Sequence, residues 1–270
     1  MVKLNPTGTT LLYATYIGGR GDDRAAGIAV DSQGQAYVTG STASSNFPLA
    51  SPVRSSLLGS RNAFVLKLNA TGNTLLYSTY LGGSSYDLGT AIAVDGSGNA
   101  YTCGDTQSAN FPVHNAVQPS LGGGSDAFVT KLSPSGSIVF STFLGGGGND
   151  HAGGIAVDST GIYVAGGTFS ANFPVLNALQ ASLAGGEDAF VSKLTAKGSA
   201  LIYSTYLGGS GGSQSNPELA NAIAVDANGS AYVAGATPSA NFPVTTGVLR
   251  TTFNGTQDAF TVKLSAMVPP

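Results

Sequence analysis

Four carboxylates occupy one recurring position in this sequence. Asp23, Asp87, Asp150 and Glu218 each lie five residues before the isoleucine of an I-A-V-D string. Fourfold symmetry would bring them around one axis, where four carboxylates supply hard oxygen ligands for Ca²⁺ or a similar cation, with waters completing the shell. Loop carboxylates also accept hydrogen bonds from the N–H groups of their own turns. The same four residues therefore fit either a metal ring or a set of backbone caps.

A second recurring set, Asn62, Asp126, Asp188 and Asp258, precedes runs that end near Lys67, Lys131, Lys193 and Lys263. A lysine that alternates with apolar residues must lay its stem along a neighbour and find a partner for its head. Recurrence in every copy points to an ion pair between repeat units, because a catalytic group is normally unique to one site. The unrepeated candidates are few. His114 and His151 stand at unrelated places in the repeat and share no zinc-ligand spacing. Cys103, the only cysteine, replaces Thr39, Ala165 and Ala234 of the other copies and reads as a buried strand residue. The Gly145-Gly146-Gly147-Gly148 run lacks the lysine of a phosphate cradle, and Arg20-Gly21-Asp22 is an adhesion tripeptide in the first copy only. No Ser or Thr is set apart as a nucleophile by a positioned base. The expectation is a non-enzyme with no catalytic residues and no required cofactor, the axial cation being the one ion suggested.

These residues sit on a repeat. Lys3, Lys67, Lys131, Lys193 and Lys263 mark equivalent points 64, 64, 62 and 70 residues apart. A period of this size denotes one supersecondary unit stacked on its own copies. The units run over about 3–66, 67–130, 131–192 and 193–262, with a closing strand at 258–266, all in one domain. Each unit holds four runs of β-forming residues; in the second copy they are Ala91 to Val94, Ala100 to Gly104, Ala127 to Leu132 and Ile138 to Leu144. The first pair is joined by a D-x-x-G turn and the last by a turn carrying Gly8, Gly72, Gly136 or Gly198. Strands apolar on both faces and repeated at a fixed period suit a β-propeller. Small residues at Ala29, Ala93, Ala156 and Ala224 place the I-A-V-D strand innermost, and the longer L-L-Y-x-T-Y strand suits the outer edge.

Two further features complete the expected architecture. After N-F-P, Val113, Val117 and Leu121 fall at i, i+4 and i+8, as do Val175, Leu179 and Leu183, which predicts a two-turn amphipathic helix in each unit. The chain begins with an outer strand, Thr10 to Ile17, and ends with three strands finishing at Ala259 to Leu264. Pairing the first with the last would close four blades of four antiparallel strands and remove the free edges.

The string G-G-x-x-x-D-x-x-x-x-I-A-V-D-x-x-G-x-x-Y-V-x-G-x-T-x-S-x-N-F-P, followed by D-A-F-V-x-K-L, resembles the bacterial SBBP β-propeller repeat. The resemblance implies an exported, extracellular or cell-surface protein with no single activity attached to the repeat. The family is named for seven blades and only four copies are present, so a fragment of a larger ring or an association of two half-rings stands beside the four-bladed ring. Charged residues make up 9% and the net charge is −3, which leaves no basic stripe for nucleic acid. No apolar run approaches the ~18 residues of a membrane span. The chain opens inside a repeat with no signal peptide before Lys3, as expected of a piece of a longer exported precursor, and Val268-Pro269-Pro270 reads as the start of a linker.

The expected role is a scaffold or binding module with a protein or glycan surface partner. The alternative is a lectin-like propeller with one carbohydrate site per blade, for which Phe169 and Tyr86 are the unrepeated aromatic candidates. The fourth copy carries five extra residues within Gly211 to Pro217. Insertions of this kind map to one face of a repeat array, the face that commonly binds partners, but Gly-Gly-Ser-Gln-Ser-Asn-Pro has no anchor side chain and reads first as a neutral spacer.

Overall fold

A computed structural model describes residues 1–265; the Val268-Pro269-Pro270 stretch lies outside the described residues. The fold is all β. A short hairpin, β1 (Val2–Leu4) and β2 (Leu11–Ala14), comes first. Three four-stranded antiparallel sheets follow. The first comprises β3 (Asp23–Val30), β4 (Ala36–Thr42), β5 (Asn62–Leu68) and β6 (Leu75–Leu81). The second comprises β7 (Asp87–Val94), β8 (Ala100–Thr106), β9 (Asp126–Leu132) and β10 (Ile138–Leu144). The third comprises β11 (Asp150–Val157), β12 (Gly161–Thr168), β13 (Asp188–Thr195) and β14 (Leu201–Leu207). The last sheet has three strands, β15 (Leu219–Val225), β16 (Ala231–Thr237) and β17 (Asp258–Leu264). No helix occurs among the described residues, so none is long and apolar enough to cross a membrane.

Both faces of the strands are apolar, and the sheets therefore stack face to face. β7 lies across β3, β4 and β5; β11 repeats this on the second sheet and β15 on the third. Each interface is a sandwich of two half-clusters. Between the first two sheets, Tyr37, Val65, Tyr77 and Leu81 meet Ile92, Phe111, Phe128 and Phe143. The large aromatics hold the sheets apart toward the outer strands, while the inner strands nearly touch: a methyl on Gly27 would meet the Ala91 Cα at 3.0 Å, and one on Gly154 the Ala222 Cα at 3.1 Å. The result is a wedge. The outer hairpins reinforce it, because Gly72, Gly136 and Gly198 turn at φ 72°, 89° and 69° directly over the rings of Tyr13, Tyr77 and Phe140 of the preceding unit.

Two expectations about the architecture need correction. The segment after N-F-P is not a helix. It runs as a partial fifth strand along the outer edge of its own sheet: His114 and Ser141 exchange both backbone hydrogen bonds, as do Leu176 with Ser204 and Ala50 with Ser78. Asn115 and Asn177 stand at φ 48° and 47°, a left-handed conformation that interrupts a helix, and their amides donate to Val139 and Ile202 carbonyls. The apolar i, i+4 spacing instead leaves Val113, Val117, Val175 and Leu179 exposed. The exposed edge of each outer strand is covered by this means.

The ring is not closed by its own ends either. β2 pairs only with β1 and β17 only with β16, so the last sheet has three strands where four were expected. Ile28 is 57% exposed while its equivalents Ile92 and Ile155 are each 8%, so the face of β3 has no sheet over it. The wedge made by four sheets does not bring the fourth back to the first, and four units form an open stack.

A tyrosine clasp ties the outer strands of the first and third sheets to their sheets. The Tyr80 hydroxyl donates to the Ser44 carbonyl at 2.6 Å and accepts from the Phe47 N–H at 3.2 Å, while Phe47 packs on Phe64. Tyr206 repeats both bonds with Ser170 and Phe173. Phe143 occupies the equivalent place in the second sheet, which shows that the site accepts Phe without the bonds. Tyr80→Phe is expected to fold and to lose about 1–2 kcal/mol in urea denaturation, with the slope unchanged.

Candidate functional site

Each recurring carboxylate sits in a cage of its own sheet. Asp23 accepts from Thr42 Oγ1 at 2.5 Å, Ser44 Oγ at 2.8 Å and the Gly19 N–H at 2.7 Å. Asp87 has the same three donors in Thr106, Ser108 and Gly83, with Asn62 Nδ2 added at 2.8 Å. Asp150 takes Thr168, Ser170 and Gly146, and Glu218 takes Thr237, Ser239 and Gly209. The T-x-S of each second strand and the G-G before each first strand are thus the other half of the motif. Burial raises the Asp87 and Asp150 carboxyls above the ordinary range, against the pull of these donors. The four carboxylates do not converge: they occupy four separate cages, and among the described residues no three His, Cys, Asp or Glu side chains gather to hold a metal ion.

The other recurring polar residues also serve the fold. Asp126 accepts from Gly122 and Gly123 N–H and from Gln118 Nε2, and Asp188 repeats this with Ala184, Gly185 and Gln180, so each pins the long loop to its sheet. Asn62 accepts from Leu58 N–H and Asp258 from Asn254 N–H. The recurring lysines do not form the expected ion pairs between units. Lys67, Lys131, Lys193 and Lys263 lie over Tyr37, Tyr101, Tyr163 and Tyr232 of the adjacent strand at 4.6–4.9 Å from the ring centroids. The one ion pair among them, Lys263 with Asp226 at 3.8 Å, lies within the last sheet. Cys103 is fully buried, which pushes its thiol up to about 12. Asp22 of the adhesion tripeptide is held by Arg61 at 2.5 Å and Arg24 at 3.1 Å; the Arg61 hydrogen bond leads the causes that lower its carboxyl.

Several residues that break the repeat collect along one loop edge, where the second, third and fourth units meet. Asp105 and His151, from the second and third sheets, meet across the seam at 3.4 Å, and Asp105 also accepts the Ala152 N–H. The contact of the His151 imidazole with the Asp105 carboxylate is the main reason that the ring is raised above its ordinary range. The ring of His151 meets Phe169 edge-on at 6.5 Å. Phe169 lines a cavity of about 280 Å³ with Gly124, Gly147, Gly148, Asn149 and Gln214. Gln214 belongs to the fourth-copy insertion, which turns through Ser213 and Asn216 and is tied down by Asn216 to Thr256 and by Gln257 to Pro217. Tyr86 stands at the place of Asn149 in the preceding unit, and Gln107 at that of Phe169, as the matching backbone bonds show. The other early candidate, His114, lies apart on the partial fifth strand.

The insertion also buries a residue that sequence reasoning missed. Gly211 accepts the Gly186 N–H and Gly212 packs on the Glu187 backbone. Glu187 takes the place of Arg61 and Ser125, is 2% exposed and has one carboxylate oxygen with no hydrogen-bond partner among the described residues. Burial pushes its carboxyl up to about 7. The signal was present in the sequence as an acid immediately before the repeated D-A-F-V, where no other copy has one.

Two measurements check these assignments. Asp87→Ala leaves three or four buried donors without an acceptor and is expected to cost about 3–5 kcal/mol, whereas Asp23→Ala, in a cage open to water, should cost less. Glu187 has a folded pKa near 7 against 4.5 unfolded, so its carboxyl favours folding below pH 4.5 and that contribution is lost as the pH rises through 7. Glu187→Gln should therefore melt roughly 2–4 °C above the parent at pH 8, and the gain should vanish near pH 4.5.

Comparison with known proteins fits this geometry. Residues 12–48 and 76–112 match the family described as the SBBP β-propeller repeat. Each match runs from an outer strand, through the carboxylate cage and the inner hairpin, to the proline of N-F-P. No protein with a curated description matches the chain. Two segments of this chain, 12–48 and 76–112, are thus similar to the SBBP β-propeller repeat.

Proposed function

We propose that this chain is a non-catalytic binding module of an exported, extracellular or cell-surface bacterial protein, working without a cofactor. The observation that carries this reading is the division of its polar residues. Those that repeat are engaged in cages, loop staples and cation–π pairs, whereas a group that does not repeat, His151, Asn149 and Gln214, gathers at one loop edge around Phe169. A site of that kind suits a surface partner: glycine backbones let a ligand approach, one ring supplies apolar contact, and Asn149 and Gln214 supply amide donors and acceptors.

One observation favours a carbohydrate as that partner. Phe169 flanked by two amides in a cavity of about 280 Å³ offers a stacking face together with hydrogen-bonding groups for hydroxyls. Tyr86 is in a different setting, so the reading is of one site on the stack rather than one per blade. A glycan array probed with the chain is expected to give a small set of hits that Phe169→Ala weakens at least ~10-fold, on the order of the 1.4 kcal/mol that one ring contact supplies. Hits unchanged by Phe169→Ala would contradict a site at this cavity. An empty array would direct the search to protein partners.

A further inference from the structure

The two uncovered ends of the stack are the two halves of one interface that the chain already makes three times over. On the first sheet, Phe47, Phe64, Leu68 and Tyr80 form the half-cluster that Phe111, Phe128, Leu132 and Phe143 form in the second; they are buried at 1–3% exposure, with Met1 and Ile17 of the hairpin region packed there in place of a sheet. Ile28 and Val30 beside it are each 57% exposed. On the last sheet, Tyr232, Ala259 and Thr261 are exposed at the positions of Tyr37, Ala63 and Val65, which are all fully buried under the second sheet. Within the chain the Tyr37 hydroxyl crosses its interface to the Gly98 carbonyl and Tyr163 crosses to Gly229, both at 3.3 Å. Tyr232 and the Gly34 turn are the same donor and acceptor, set at opposite ends.

The outer strands show the same complementarity. The last sheet has no fourth strand, and its post-N-F-P segment has no outer strand to lie along, which leaves Leu249 at 106% exposure. β2 and the two residues after it carry the fourth-strand sequence L-L-Y-A-T-Y, and among the described residues β2 pairs only with the short β1. Its Tyr16 is 104% exposed, although the equivalent Tyr80 and Tyr206 hydroxyls each bond a Ser carbonyl and a Phe N–H. The matching socket, the Ser239 carbonyl and the Phe242 N–H beside the stacked Phe242 and Phe260 rings, stands without a tyrosine on the last sheet.

We infer that the uncovered ends are an interaction surface for a second copy of this chain, docked head to tail. The first sheet of one copy covers the last sheet of the other, β2 exchanges β1, which holds it through Lys3 and Tyr13, for β17 of that sheet and completes it as the fourth strand, and Tyr16 enters the Ser239–Phe242 socket. Two copies related by a twofold axis would satisfy both interfaces at once and form one closed assembly. The occupant is specified by repeat identity, because each open face already meets its complement inside the chain.

Light scattering after size exclusion tests this on the chain, sampled from about 1 to 100 µM to follow association by mass action. The expected mass is twice the 26.8 kDa of one chain, falling toward one chain on dilution. Tyr16→Ala is expected to raise the dissociation constant at least ~30-fold, as a central tyrosine anchor does. Ile28→Asp, at the opposite edge of the same face, should do likewise. Both side chains are exposed in the single chain, so circular dichroism should be unchanged. A single-chain mass at every concentration would overturn the inference, as would a twofold mass that neither substitution reduces.

Discussion

A β-sheet that is apolar on both faces must be covered on both, and this constraint organises the molecule. Each unit supplies a face that the next unit's inner strand crosses, with Ile92 and Ile155 buried where they land. The covered tyrosines Tyr37 and Tyr163 then bond a carbonyl of the following unit, so cover and register are set together. The partial fifth strand after N-F-P extends the same logic to the outer edge, where Ser78, Ser141 and Ser204 would otherwise leave backbone groups unpaired. Only the first and last sheets lack a sheet neighbour, and Ile28 of the first and Tyr232, Ala259 and Thr261 of the last are exposed where their counterparts inside the stack are buried.

Covering the sheets buries polar side chains, which the repeat then has to satisfy. The cage of a carboxylate, Asp in three units and Glu218 in the fourth, with Thr, Ser and Gly donors does so at the start of each first strand, and the Asp31, Asp95, Asp158 and Asp226 turns do so at its end. At Asp95 burial is the largest single influence, yet bonds from Asn99, Tyr101 and Ser97 together outweigh it and hold the carboxyl below its ordinary range. The lysine heads rest on tyrosine rings that lie in the same interfaces. Glu187 is the exception, a buried acid without a full set of partners, placed under an insertion that only one unit has.

Much of this was legible in the sequence. The four strands per unit, the D-x-x-G and glycine turns and the small inner strand all follow from local pattern, since turn chemistry and alternation are local. The recurrence of the carboxylates was legible, but their partners lie 18 to 21 residues away in T-x-S, so spacing alone left both a metal ring and a cap open. The helix expected at Val113, Val117 and Leu121 was misread because the segment's hydrogen bonds go to a strand distant in sequence, through Ser141 and Phe143. Ring closure was misread because the angle between sheets depends on the combined bulk of residues such as Tyr77, Phe128 and Phe143, which no single motif encodes. The cavity at Phe169 was foreshadowed only by its ring and by the insertion at Gly211 to Pro217; their meeting is tertiary.

The central claim is that one chain is an open stack whose end sheets lack cover. Hydrogen exchange of the full chain, diluted until the single-chain mass is found, measures this most directly. The account predicts slow exchange through β8 to β13 and markedly faster exchange in β3, β16 and β17, with the end strands slowing as concentration rises. Equal protection of β3, β17 and the central strands in the single chain would contradict it, because that result requires a ring closed within one molecule.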